Sequence, residues 1–573
     1  MYYFQKGMVI GMLICGLKLT HDGAVAIIKD NQLLHCIEME KRHNNKRFTE
    51  IKDLKDVEEI LGSVGIQLSD IDVFAVDGWG GNNAEQLAQQ PRLEIGDSNN
   101  KITAWNYGEE FQLNVCQYEE TNGGDPLKGE TFNGLKIGRH TFSYRSYLHV
   151  ADHIMGTYCT SPFSEACQDS YILVWDGGMY PRFYYFDFAN KKIEPLGPLF
   201  LLIGNIYTIF SQFFGPFKVK GTFAKDSLSI AGKVMAYIAK GEVKEELFSI
   251  FDEIYKKQYT MPMGFANVFA NHFKEKVKGR GYRDEDILCT FHMYLEKLLI
   301  EKLAQKIKRY PRKTKNLCIS GGCGLNIKWN SAIRASHLFD SVYVPPFPND
   351  SGSAVGAACC AMFHQLGALN LKWDVYSGPT IEQNMPADGW VTSQCSISEL
   401  AALMYNEKEP VVFLHGKAEL GPRALGNRSI IAPAEKKEMK EILNRIKKRE
   451  DYRPISPICL EDKAKSIFLP GTPDPYMLFD HAIRDNWKEK IPAVMHLDGT
   501  ARLQTVTKEQ NILIYQLLSE YEKLSGIPLL CNTSANYNGC GFFPDIYSAT
   551  QWGRVNYVWC DNKLYQRKIK QEL

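Results

Sequence analysis

The stretch His415–Pro457, HGKAELGPRALGNRSIIAPAEKKEMKEILNRIKKREDYRPISP, sets Lys417, Arg423, Arg428, Arg445, Lys447, Lys448, Arg449 and Arg453 among three rigid turns. The turns are Leu420-Gly421-Pro422, Leu425-Gly426-Asn427 and Arg453-Pro454. A guanidinium forks onto phosphate or carboxylate through parallel N–H donors. Arginines held by tight turns among Gly, Pro, Ala and Leu, as in Glu419–Ser429, therefore read as a pocket for a polyanion. Glu435–Glu450 reads differently: its Lys and Glu alternate at helical spacing and suit a solvated helix face.

Other residues carry chemistry of a second kind. His149 and His153 stand four apart in Ser146–Cys159, a segment of helical character. Two imidazoles on one helix face can chelate a divalent ion with a carboxylate from elsewhere, although such pairs also arise incidentally. Asp176-Gly177-Gly178 follows the apolar strand Tyr171–Trp175, and Gly321-Gly322-Cys323-Gly324-Leu325-Asn326 follows Leu317–Ser320. Glycine turns after strands let backbone N–H groups approach a phosphate. Neither turn has the GK[ST] ending or GxGxxG spacing, and Cys323 has no His positioned beside it in sequence. His21-Asp22 lies in the first turn after the strand Met8–Cys15, where it either faces a phosphate or hydroxyl or simply makes the turn. Asp350 precedes a small-residue helix reaching Ala361, as an N-cap or a metal ligand.

The elements that must position these groups are α/β throughout. Met8–Cys15, Ala24–Ile28 and Leu33–Glu38 form a meander, with a helix over Asp53–Ile66 and a strand over Ile71–Asp77. Asn82–Gly138 is a polar insertion over the site, and Tyr184–Phe188 follows the Asp176 turn as a strand. Phe265–Lys308 is helical, Val342–Val344 a strand, and Leu369–Trp390, with Pro379 and Pro386, a linker. Ile397–Asn406 is a helix, and Val411–His415 and Gly526–Leu530 are strands, the last continued by Cys531-Asn532-Thr533-Ser534. Alternation in Ala493–Asp498 and Arg502–Val506 puts polar side chains on one extended face.

At 573 residues the chain exceeds one core. Apolar content of 45% and charged content of 23% are those of a soluble globular protein. A net charge of +1 argues against a large nucleic-acid footprint. Fifteen cysteines without a CxxC pair read as reduced thiols in a cytoplasmic protein. No apolar run is long enough to span a membrane.

ELGPRALGNRS (Glu419–Ser429), the Lys448-Arg449-Glu450 segment and YRPISP (Tyr452–Pro457) closely resemble the signature of the nodulation-protein and antibiotic O-carbamoyltransferases. The resemblance implies an N-terminal actin-like ATPase domain, a duplicated RNase H-like fold, over residues 1–375, and a YrdC-like α/β domain over 376–573. It implies carbamoyl phosphate and ATP as substrates, a carbamoyl adenylate intermediate and a small hydroxylated acceptor, with Mg²⁺ accompanying ATP. Arg423, Arg428, Lys448, Arg449, Arg453 and Arg502 would bind the phosphates, with Glu419 in the same motif. His496, Asp498, Thr500, Arg502 and Gln504 match the family's H-x-D-x-T-x-R-x-Q segment, and Asn532, Thr533 and Ser534 would grip the adenylate. Asp176, Gly177, Gly178, Gly321, Gly322 and Asn326 would hold the nucleotide in the transfer half. Asp350 would join His149 and His153 as ligands of Fe(II) or another first-row ion. His21 or Asp22 would be the base for the acceptor hydroxyl. A cationic segment, Glu40–Phe48, falls where family members carry active-site residues, and Lys233 falls in a GKVM element whose usual preceding acid is Ala231 here. Threonylcarbamoyl transfer to tRNA uses the same two folds and calls for a basic surface. A small-molecule kinase of actin-like fold leaves the arginine motif without a task, and a non-enzymatic scaffold leaves the histidine pair without one. A hydrogenase-maturation carbamoyltransferase would add CxxC repeats.

Overall fold

Leu13–Lys18 (β1), Ala24–Lys29 (β2) and Gln32–Glu38 (β3) make an antiparallel meander, with Asp30 taking the left-handed backbone at the second turn. The computed structural model describes residues 11–80, 100–120, 124–218, 228–257 and 262–568. The start of the expected strand Met8–Cys15, and residues 82–99 and 121–123 of the expected insertion, lie outside them. Val73–Asp77 (β4) runs parallel to β1. Asn100–Asn106 (β5) and Glu109–Val115 (β6) form a separate hairpin. Gly129–Ile137 (β7) and His140–Tyr147 (β8) complete a sheet of order β3-β2-β1-β4-β8-β7. Val25, Ile27 and Phe74 of this sheet pack with Val57 and Ile60 of the helix Lys55–Ser63 in one core.

β1 continues through Gly16 to Lys18, past Cys15 where the expected strand ends. A Cβ on Gly16 would fall 2.0 Å from the Ala354 carbonyl oxygen. The glycine thus lets the helix Ser353–Leu366 lie against the strand. Gly16→Val is expected to destabilise this unit by about 1–3 kcal/mol through overpacking, read as a lower denaturation midpoint. An unchanged midpoint would mean the helix yields without cost.

Ser170–Val174 (β9), Arg182–Asp187 (β10) and Lys192–Pro198 (β11) repeat the meander. Asn316–Ser320 (β12) runs parallel to β9, and Ser341–Tyr343 (β13) parallel to β12. The order β11-β10-β9-β12-β13 is that of β3-β2-β1-β4-β8 again, the duplicated topology of the actin-like ATPase fold. The expected helix Phe265–Lys308 is two, Pro262–Val277 and Asp284–Arg309, separated by Gly279 and Gly281 in the left-handed region.

Trp390–Gln394 (β14), Val411–Leu414 (β15), Arg428–Ala432 (β16) and Ser456–Leu460 (β17) belong to a further mixed sheet. Phe468–Leu469 (β18), His481–Ile483 (β19) and Thr500–Ala501 (β20) form a small antiparallel sheet. Gln504–Val506 (β21), Leu529–Ser534 (β22), Tyr557–Cys560 (β23) and Lys563–Arg567 (β24) give the mixed sheet its order, β14-β24-β23-β15-β16-β22-β17-β21. The expected linker is not slack. Ile381 donates its N–H to the Gly416 carbonyl, and Gly378 and Ala418 are tied by backbone bonds along the same edge. The expected extended face over Ala493–Asp498 and Arg502–Val506 is also corrected: His496–Thr500 is a turn, closed by the N–H groups of Gly499 and His496.

The chain divides into two compact units. One comprises Met1–Met39, Phe48–Cys167 and Asp350–Ser377; the other comprises Glu40–Arg47, Gln168–Asn349 and Gly378–Leu573.

Candidate active site

In the first unit, the ends of β1 and β4, the first turn of the helix His149–Cys159 and the turn at Asp350 bring their polar groups together. His149 Nε2 and His153 Nε2 lie 3.5 and 3.6 Å from the same Asp350 oxygen, Oδ1. The donor atoms of all three residues fall within 4.8 Å of one another. His149 Nδ1 donates to Asp77 Oδ1 at 2.8 Å, which orients the ring and turns Nε2 toward Asp350. His149 Nε2 is buried and makes no hydrogen bond. Lys18, fully buried, spans Asp77 Oδ2 at 2.7 Å and Asp350 Oδ2 at 3.0 Å. Two carboxylates against one ammonium leave the cluster short of positive charge, which a proton on His149 or a divalent ion supplies, and the donor set fits a first-row ion. Asp350 is not an N-cap: Gly352 holds that position of the following helix.

The protonation pattern agrees with this. Burial opposes charge on His149, but Asp77 and Asp350 outweigh it and lift its pKa to about 9. Burial likewise opposes charge on Asp350, yet Lys18 and His149 hold its carboxyl well below the usual range. The pocket is built for positive charge. His21 Nδ1 lies 2.9 Å from Asp22 Oδ2, and its Nε2 lies 3.6 Å from Asp350 Oδ2. Asp22 adopts the left-handed backbone in this turn and orients the imidazole. Trp79 lies 4.0 Å from Lys18 Nζ and meets His21 and His149 edge to face. The sequence reading omitted Lys18, Asp77 and Trp79. An Asp closing the apolar run VFAVD was the available signal, the same that marked Asp176 after YILVW.

In the second unit the two glycine turns meet. Gly322 N–H donates to Asp176 Oδ1 at 2.7 Å, and the N–H groups of Gly204 and Asn205 donate to the carbonyls of Asp176 and Gly177. Gly178 closes the Asp176 turn, and Gly321, in the left-handed region, would place a Cβ 2.4 Å from the Trp175 carbonyl. Asn326 serves as a helix cap: its Oδ1 accepts from Lys328 and Trp329 N–H at 3.2 and 3.3 Å. Burial and then Asp176 push the Cys323 thiol far up, so it stays protonated and is no nucleophile.

The cationic motif divides into staples and pocket. Glu419 Oε1 accepts from the N–H groups of Leu425, Asn427 and Arg428 at 2.7, 2.8 and 3.1 Å. Arg428 is buried, and its guanidinium donates to the carbonyls of His415, Asn427, Pro379 and Gly416 at 2.7–3.1 Å. Those bonds occupy both of its terminal nitrogens, so Arg428 organises the loop instead of facing an anion. Arg428→Met would remove a buried guanidinium's bonds to four carbonyls and is expected to cost more than about 3 kcal/mol. Loss of soluble, folded protein would be the readout, whereas Arg423→Met should purify normally. Lys448 is exposed with left-handed backbone, and Lys447 turns inward to the carbonyls of Ser534 and Asn536 at 2.8 and 2.9 Å. The sequence reading had favoured Lys448.

Arg423, Arg449, Arg453 and Arg502 converge. Burial, then the neighbouring guanidiniums Arg47 and Arg453, draws the Arg423 pKa down to about 10; burial with Arg453 and Arg502 draws Arg449 to about 9. Arg423 and Arg449 therefore remain charged at neutral pH. The Nε atoms of Arg423 and Arg449 are buried without an acceptor. Arg449 Nη2 donates to Thr533 Oγ1 at 3.3 Å, and Arg502 Nε to Ser456 Oγ at 3.0 Å. Asn532 donates to the Ala424 carbonyl at 3.0 Å and to Gln504 Oε1 at 2.8 Å, tying β22 to the loop. Ser534 Oγ donates to Asn536 Oδ1 at 2.8 Å. His496 accepts the Arg502 N–H on Nε2 at 3.3 Å, so it shapes the turn that presents Arg502. Burial lowers its pKa to about 3, which keeps it neutral for that task. Asp498 binds Lys328 at 2.5 Å, as does Asp480 at 2.7 Å. Lys233 pairs with Glu450 at 3.1 Å.

Residues 13–359 match the family model described as "Carbamoyltransferase N-terminus", which alone spans more than half of the chain, and residues 401–567 match "Carbamoyltransferase C-terminus". The chain belongs to the carbamoyltransferase family. It is 46% identical to nodulation protein U of Sinorhizobium fredii over 97% of this chain and 99% of that protein. It is 30% identical to the 3'-hydroxymethylcephem-O-carbamoyltransferase of Streptomyces clavuligerus, again over 97% and 99%. Among solved structures, the activator of the 2-hydroxyisocaproyl-CoA dehydratase from Clostridium difficile with bound ADPNP aligns at 12% identity with a TM-score of 0.34, covering 62% of this chain and 95% of that one. Among the described residues no helix is long and apolar enough to cross a membrane.

Proposed function

We propose that this carbamoyltransferase is an ATP-dependent O-carbamoyltransferase that forms carbamoyl adenylate and passes its carbamoyl group to a hydroxyl of a small molecule. The observation that carries the reading is the convergence of Arg423, Arg449, Arg453 and Arg502, with buried Nε–H groups on two of them lacking acceptors. Like charges gathered at that cost in self-repulsion suit a ligand with several phosphates. Residues 376–573 form the adenylate in this account, and residues 1–375 carry out transfer.

Carbamoyl phosphate loses phosphate to water, leaving a carbamate. A carbamate oxygen attacks the α-phosphorus of ATP, and the bond to pyrophosphate breaks. The arginines stabilise the charge that develops on the leaving pyrophosphate, and Mg²⁺ accompanies the nucleotide. The Asp176–Gly178 and Gly321–Gly322 turns present backbone to the nucleotide in the transfer half. The acceptor oxygen then attacks the carbamoyl carbon, AMP leaves with the bonding pair, and His21 Nε2 takes the hydroxyl proton. Asp22 holds His21 Nδ1 for that role. His149, His153 and Asp350 would hold a divalent first-row ion such as Fe(II), which would supply Lewis-acid polarisation when bound. Fifteen free cysteines suit a reducing, cytoplasmic setting.

Chromatographic resolution of nucleotide products tests this. AMP and pyrophosphate, appearing when carbamoyl phosphate is added, are expected; ADP would point to a kinase and overturn the reading.

A further inference from the structure

The segment Glu40–Arg47 belongs to the second unit although its sequence neighbours on both sides belong to the first. It is fastened there by backbone and side chain alike. Gly541 N–H donates to the Asn45 carbonyl at 3.0 Å, Arg47 N–H to the Gly539 carbonyl at 2.9 Å, and Lys46 bridges Cys540. Lys41 is buried, and its Nζ donates to the carbonyls of Glu419 and Gly421, the residues that lead into Arg423. Asn44 Nδ2 donates to Ser548 Oγ at 2.7 Å. A Cβ on Gly541 would fall 1.8 Å from the Glu40 carbonyl, so the fit leaves no slack.

This docking sets the Arg47 guanidinium beside the anion pocket. Arg47 Nη2 donates to the Pro422 carbonyl at 3.3 Å, one residue from Arg423. Its Nε, like those of Arg423 and Arg449, is buried without an acceptor. No carboxylate is paired with it among the described ion pairs, while its charge weighs on Arg423, Arg449 and Arg453. A buried N–H without a partner costs about 1–3 kcal/mol, and placing that donor against further guanidiniums adds repulsion. Both costs are offset once an anion occupies the space.

We propose that Arg47, delivered by the Glu40–Arg47 strap, is a further binding residue of the polyanion pocket and contacts phosphate oxygens of carbamoyl phosphate or ATP. The inference rests on the reading of that pocket as the adenylation site. Its chemistry is that of a guanidinium contributed from the N-terminal end of the chain to a site otherwise built from residues after 420. Lys41 acts differently, holding the Glu419–Gly421 turn in place, and is a positioning residue.

The test uses the full-length protein and two readouts: calorimetric titration with inorganic pyrophosphate, and KM values in carbamoyl-phosphate-dependent pyrophosphate formation. Arg47→Gln is expected to weaken pyrophosphate binding and raise KM for carbamoyl phosphate or ATP by about 10–100-fold, the range of a charge-assisted hydrogen bond. Arg47→Lys should recover part of the loss, and the melting temperature should not fall in either variant. Wild-type binding and KM in Arg47→Gln would overturn the inference. So would a loss that tracks a lowered melting temperature and is not eased by lysine, since that marks a structural part. Failure of the adenylation reading looks different: the wild type would form no pyrophosphate with carbamoyl phosphate, while calorimetry would still report whether Arg47 holds an anion.

Discussion

Arg423→Gln is expected to lower carbamoyl-phosphate-dependent pyrophosphate formation by about 10²–10³-fold, the usual consequence of removing one preorganised donor from a developing anion. It should do so without weakening the fold. The Arg423 Nε is buried without an acceptor, and burial and neighbouring guanidiniums disfavour its charge. Removing a charge that the ligand-free protein holds against such opposition relieves strain. The melting temperature without ligands should therefore stay level or rise by about a degree, roughly 1 kcal/mol in stability. Stabilisation by added ATP should shrink at the same time, because the differential binding that raises the melting point is lost. A residue that merely braced the loop would behave oppositely, as Arg428 should. Activity and melting temperature measured together distinguish the two.

Asp350→Asn carries the second large effect, and it falls on a different half-reaction. Asp350 faces His149 and His153 at 3.5 and 3.6 Å through Oδ1, and Lys18 at 3.0 Å through Oδ2. An amide keeps the volume but removes the charge that makes the cluster a cation site. Bound first-row metal, measured by mass spectrometry of the purified protein, should fall by at least about 10²-fold, beyond the loss typical of an outer hydrogen-bond partner. Carbamoyl transfer to an acceptor should fall with it, while pyrophosphate formation persists, because the arginines lie in a separate part of the chain. Equal loss of both activities would mean that the cluster serves the fold and not the transfer. Asp77→Asn should be milder, about 10–100-fold in metal affinity, since it releases the His149 ring without removing a ligand.

The resemblance made much of this architecture legible, and the residues show why. Strands of the two meanders are apolar runs closed by turn residues, and His149 with His153 has helical spacing that a sequence displays directly. Interactions that depend on long-range approach were hidden. Gly16 looks like a turn residue until Ser353–Leu366 is laid against it. Lys18 looks like a turn residue past the strand until Asp77 and Asp350 enclose it. Among the arginines, composition could not separate Arg428, whose donors meet backbone carbonyls, from Arg423, whose Nε does not. The inward turn of Lys447 and outward turn of Lys448 follow from left-handed backbone at a single residue, which no periodicity reveals. Arg47 was hidden furthest, since some 375 residues separate it from Pro422, whose carbonyl it meets.

The central claim, that this chain activates a carbamoyl group as an adenylate, is tested most directly by isotope exchange between labelled pyrophosphate and ATP, with no acceptor present. Label entering ATP when carbamoyl phosphate is supplied, and failing to enter in Arg423→Gln, is the predicted result. Absence of exchange in the wild type under turnover conditions, or exchange indifferent to carbamoyl phosphate, would contradict it.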